Sequence, residues 1–129
     1  VTARTALELR LPVDRGTLSL VRREVRELEA RGLSDDCVQT AVLLASEIAT
    51  NAIRHGGVED VLQVAIEYRD GLLRVSVRQP NAFERHADQT EGWGLTLLDR
   101  LADTWTTELL DDGWTKVTFE LTEIGGRKV

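Results

Sequence analysis

Glu47 and Asn51 lie four residues apart in Leu44-Ala45-Ser46-Glu47-Ile48-Ala49-Thr50-Asn51-Ala52-Ile53-Arg54-His55. On a helix this spacing sends both side chains from one face, and His55 continues the row one turn later. The row runs beside an apolar stripe, at the edge where a helix meets a sheet. A carboxylate there can take a proton from a nucleophile. An amide oxygen can be one ligand of an octahedral Mg²⁺ whose other ligands are phosphate and water. The same spacing also fits a surface Glu, an exposed Asn and a His favoured by the dipole at a helix C-terminus. Further along, Gly92-Trp93-Gly94-Leu95 offers a second chemistry. Glycines let a backbone approach phosphates closely, and free N–H groups at a helix N-terminus attract anions. Taken alone, a Gly-x-Gly is also an ordinary helix-start turn.

The elements that must position these residues follow from periodicity and punctuation. Leu7, Leu9 and Leu11 alternate with Glu8 and Arg10, the period of a half-buried strand. Pro12 breaks it, Asp14 is placed to cap a helix running to about Arg31, and Gly32 ends that helix. Leu18, Val21, Val25 and Leu28 share one face of it, with Arg22, Arg23, Arg26 and Glu29 mostly on the other. Ser34 caps a second helix with Asp35 and Asp36 in its first turn, where the dipole favours negative charge. Its buried stripe is Val38, Ala41, Val42, Ala45, Ile48 and Ala52, with Cys37 beside it as a small core residue, and Gly56-Gly57 stops it.

Val61 to Tyr68 and Leu72 to Arg78 read as strands joined at Asp70-Gly71, a strong hairpin signal. An irregular polar stretch, Gln79 to Gly92, is long enough to suggest function. A short helix opens at Gly94, carries Leu95, Leu98 and Leu101 on one face, and runs to about Asp103. A last hairpin, Thr104 to Leu109 and Thr115 to Glu123, turns at Asp112-Gly113. The order β-α-α-β-β-α-β-β predicts an α+β two-layer sandwich: a mixed, mainly antiparallel sheet covered on one face by helices.

Composition narrows the function classes. The chain has 129 residues with 42% apolar and 29% charged side chains, which suits one globular domain over residues 1–129. Sixteen basic against 22 acidic residues give a net charge of −6, which opposes non-specific nucleic-acid binding and an anionic membrane surface. The single cysteine, Cys37, excludes an internal disulfide and a cysteine zinc cluster. No apolar run approaches the roughly 20 residues of a membrane span. A soluble cytoplasmic protein is the expectation. The chain contains no methionine, so it is expected to be processed, trimmed or cut from something longer.

Glu-x-x-x-Asn-Ala-x-x-His after an apolar helix resembles the N-box of the GHKL ATPase superfamily, which includes gyrase, the MutL repair proteins, histidine kinases and anti-sigma-factor serine kinases. Element order and spacing over nearly the whole chain look closest to the small bacterial anti-sigma-factor serine/threonine kinases. The resemblance implies a Bergerat-type ATP-binding fold, ATP and Mg²⁺ as ligands, and roles residue by residue. Asn51 matches the metal-coordinating asparagine, and Glu47 the base toward a substrate serine. Asn51, His55, Gln79, Gly92, Trp93, Gly94, Leu95 and Thr115 fall on nucleotide-binding positions. The implied partners are a sigma factor and an antagonist protein phosphorylated on serine, with the kinase as a homodimer.

Two positions depart from the family pattern. Gln79 stands where the family usually has an aspartate that accepts from the adenine amino group. Its carbonyl can still accept, and its NH₂ can donate to the ring. Losing such an acceptor costs on the order of 1–3 kcal/mol, or ten- to a hundredfold in affinity. Trp114 replaces a small residue beside the threonine matched by Thr115, where it could stack on the base, shield it, block it, or simply pack over the hairpin. These departures support an alternative, a nucleotide-deficient module of the same fold acting through protein contacts; the absence of methionine separately leaves open one domain of a larger signalling protein.

Overall fold

The computed structural model describes residues 4–12, 15–55, 61–80 and 93–122. Its elements are β1 (Arg4–Pro12), α1 (Arg15–Arg26), a 3₁₀ turn (Glu27–Arg31), α2 (Asp35–His55), β2 (Val61–Arg69), β3 (Leu72–Gln79), α3 (Trp93–Leu101), β4 (Thr104–Leu109) and β5 (Thr115–Thr122). The strands form one sheet in the order β1-β2-β3-β5-β4. All four pairings are antiparallel, so among the described strands the expected mainly antiparallel sheet has no parallel pair. The expected element order holds throughout.

Alternation sorts each strand into two faces. Leu62, Val64 and Ile66 of β2, Leu73, Val75 and Val77 of β3, and Val117, Phe119 and Leu121 of β5 are buried. They meet α2, which packs on β3 and β5, while α3 packs on α2 and β4. Ala41, Ala45, Ala49 and Ala52 are buried on α2, small side chains that bring the helix backbone close to the sheet. The opposite sheet face is polar and carries cross-strand bonds. Arg74 donates to Glu120 at 2.7 Å, Thr104 donates to the same carboxylate at 2.9 Å, and the Ser76 and Thr118 hydroxyls lie 3.0 Å apart. Among the described residues no helix is long and apolar enough to cross a membrane.

The punctuation acts largely as the sequence predicts. The Ser34 hydroxyl accepts the Cys37 N–H at 3.3 Å, a side-chain cap on α2. Asp70 and Gly71 both have positive φ, 55° and 79°, the backbone of a two-residue hairpin turn. The first helix differs from expectation: α-geometry ends at Arg26, and Glu27–Arg31 tightens to 3₁₀. Gly32 then takes φ 106° and donates to Glu29 O, while Leu33 donates to Leu28 O, each at 3.2 Å. This pair of bonds satisfies the last carbonyls, and the buried Leu28 and Leu33 bracket the turn.

The third helix also needs a correction. It ends at Leu101 rather than near Asp103, and Leu101 is 39% exposed while Leu98 is fully buried. Leu97, rather than Leu101, joins Leu98 against the core. The expected cap at Asp14, the stop at Gly56-Gly57 and residues 81–92 of the polar stretch lie outside the described residues.

Candidate functional site

The residues singled out by spacing fall on two facing elements. Glu47 and Asn51 are both half-buried on α2, one turn apart, and His55 is the last residue of that helix. Gln79 closes β3 directly opposite Thr115, the first residue of β5. They are 2% and 5% exposed, so both face the helix layer. Trp93, Gly94 and Leu95 form the first turn of α3. Gly92 lies outside the described residues.

Packing relates the two elements. Ala49 and Ala52 of α2 cluster with Leu62 of β2. Leu62 is opposite Leu11 on β1, and one further step of the β2–β3 register past Gln63 and Arg78 sets it beside Gln79. One inward row therefore runs Leu11, Leu62, Gln79, Thr115 at a single end of the sheet. The C-terminal turns of α2, with Asn51 between Ala49 and Ala52, stand over that end.

Two atoms there lack partners. Gln79 Oε1 and Asn51 Nδ2 are buried and make no hydrogen bond among the described residues. Burying a polar group without a partner costs on the order of 1–3 kcal/mol, so such atoms mark places that a water or an incoming ligand group would complete. Gln79 offers an acceptor. The Asn51 amide offers a donor to a phosphate oxygen, or, by its carbonyl, a ligand to a cation.

Trp114 stands elsewhere. Its indole lies under the Arg78 guanidinium, 5.5 Å from ring centroid to carbon. Arg78 belongs to the polar sheet face: it donates to Gln63 Oε1 at 3.2 Å and to Asp112 Oδ2 at 3.0 Å. Because Thr115 points inward, strand alternation turns its neighbour outward. Of the readings left open for Trp114, packing over the hairpin is the one the structure adopts.

Sequence reasoning missed a link behind Glu47. Arg22, expected on the helix face opposite the apolar one, is half-buried and donates through Nε to the Ser46 hydroxyl at 3.0 Å. A groove of about 450 Å³ opens between α1 and α2, walled by Arg22, Arg26 and Val42, and Glu47 borders it. An arginine on a helix gives no period signal for a partner on another helix, so the sequence carried no trace of this bond. Trp105 packs half-buried against the core, and its indole N–H donates to Asp99 at 2.7 Å.

No curated protein matches the chain. Residues 11–121 match the family described as Histidine kinase-like ATPase domain. That span runs from the end of β1 through the penultimate residue of β5, taking in Glu47, Asn51, Gln79 and Thr115, and the chain belongs to the histidine kinase-like ATPase domain family.

Proposed function

We propose that the protein binds Mg²⁺-ATP between α2 and the sheet end at Gln79, and acts as an anti-sigma-factor-like serine/threonine kinase. Its substrate is a serine on a small antagonist protein, and sequestration of a sigma factor is the binding half of the same switch. A homodimer working in the cytoplasm, without direct nucleic-acid contact, completes this reading. The observation that carries it is the buried, unpartnered Gln79 Oε1, an acceptor beside Thr115 that suits the exocyclic amino group of adenine.

Asn51 would hold Mg²⁺ through its amide oxygen, the remaining ligands coming from phosphate and water. When bound, the ion neutralises phosphate charge and orients the γ-phosphoryl group. Glu47 takes the proton of the substrate hydroxyl as the seryl oxygen bonds to the γ-phosphorus. The bond from that phosphorus to the β–γ bridging oxygen breaks, and ADP leaves with the electron pair. The position of Glu47 on the groove between α1 and α2 gives a protein substrate an approach separate from the base pocket. The alternative of a nucleotide-deficient module loses one of its two supports, since Trp114 packs on the far sheet face.

Calorimetric titration with Mg²⁺-ATP tests the reading. Binding at or below millimolar nucleotide is expected, and no heat at millimolar nucleotide ends it. In Glu47→Ala, affinity should persist while phosphoryl transfer to the antagonist falls at least a hundredfold, within the 10²–10⁴ typical of a removed general base, roughly. Unchanged transfer in that variant removes Glu47 from the role of base.

A further inference from the structure

A carboxamide and a carboxylate differ at a nucleobase in one respect: the amide carries a donor and an acceptor at once, the carboxylate acceptors only. Gln79 is 2% exposed, held at the end of β3 by its pairing with Thr115, and its Oε1 is without a partner. Among the described residues no bond therefore ties the acceptor end down. The terminal torsion of glutamine is broad and roughly two-fold. A half-turn exchanges oxygen and nitrogen and leaves the side-chain volume unchanged.

We infer that Gln79 fits the proposed nucleotide site to 6-oxopurine as well as 6-aminopurine nucleoside triphosphates. With Oε1 toward the base, the side chain accepts from the amino group of adenine. Turned over, its NH₂ donates to the 6-oxo group of hypoxanthine. A carboxylate at the same place would accept from the amino group but face the oxo group with like charge. The neutrality of position 79 thus sets base selectivity. Its neighbour Thr115, a hydroxyl that both donates and accepts, imposes no opposing preference.

This inference rests on the nucleotide reading above and is tested so that the two can fail separately. Inosine triphosphate is the probe, because it differs from ATP at the 6-position and N1 and lacks the extra 2-amino group of guanine. Calorimetry with Mg²⁺ should give the unmodified protein dissociation constants for inosine triphosphate and ATP within about tenfold of each other. Gln79→Glu, equal in length, should widen the ratio in favour of ATP by about ten- to a hundredfold. A preference of the unmodified protein for ATP beyond about a hundredfold overturns the inference and leaves nucleotide binding intact. So does an unchanged ratio in a Gln79→Glu protein that keeps its circular dichroism spectrum. Binding of neither nucleotide overturns both readings together. The comparison in the unmodified protein keeps the test decisive even if burying a charge unfolds the variant.

Discussion

Asp112 fixes the last hairpin at the level of single atoms. One of its carboxylate oxygens accepts the Trp114 N–H at 3.0 Å, and the other accepts from Arg78 at 3.0 Å. The turn and the cation over the indole are therefore held by one side chain. Gly113, at φ 88°, supplies the left-handed backbone the turn requires. Because this assembly sits on the polar sheet face, Trp114→Ala should leave Mg²⁺-ATP affinity within about twofold while lowering stability by about 0.5–1 kcal/mol. Calorimetry and urea unfolding measure the two effects. A tenfold change in affinity would return Trp114 to the base pocket. Strand alternation already contained this outcome: a Thr115 that faces the helix layer forces Trp114 to the other side. The Glu47 and Asn51 spacing was legible for a similar reason, since one helix fixes it. The Arg22 bond to Ser46 was not, because it depends on how two helices are registered against each other.

At the scale of elements, the polar sheet face is tied by a carboxylate shared between strands. Glu120 on β5 accepts from Arg74 on β3 and from Thr104 on β4, so one group spans three strands. The Arg74 hydrogen bond, then that from Thr104, holds the Glu120 carboxyl below its ordinary value. A depressed carboxyl pKa contributes stability above the unfolded-state value, and that contribution is lost as pH falls through the folded value. Arg74 is about half exposed, so solvent screening keeps the pair near 0.5–1 kcal/mol, roughly. Glu120→Gln should lower the urea midpoint accordingly at pH 7, and the difference from the unmodified protein should narrow below about pH 4. A gap that stays constant down to about pH 3 would show that the carboxylate charge contributes nothing there. The hairpins and their order were legible because Asp-Gly turns and period-2 runs are local signals. The tightening of Glu27–Arg31 was not, since Arg26 and Glu27 carry no breaker. It answers instead to the demand that Leu28 and Leu33 both reach the core while Gly32 turns the chain.

Across the whole molecule, stability and ligand binding draw on different atoms. The core joins Leu44 and Ile48 of α2 to Ile66, Leu73 and Phe119 of the sheet, all at or below 1% exposure. Cys37 is a free, buried thiol, and it is the single cysteine of the sequence. Folding therefore needs no covalent link, and the unfolding temperature should be indifferent to reductant. The Gln79 and Asn51 atoms, unpartnered among the described residues, are by contrast a local cost that the proposed nucleotide would remove only in the folded state. Mass action then makes Mg²⁺-ATP at a hundred times its dissociation constant stabilise the fold by about 2.7 kcal/mol. For a chain of this size that corresponds to a rise in unfolding temperature on the order of 10 °C. A chelator should leave the ligand-free transition where it is and remove much of the rise seen with nucleotide, because Asn51 is proposed to act through the metal. In Asn51→Ala the rise should shrink even with excess Mg²⁺. A scanning-calorimetry trace in which saturating Mg²⁺-ATP leaves the transition unmoved would mean that the two orphaned atoms are satisfied by something other than a nucleotide.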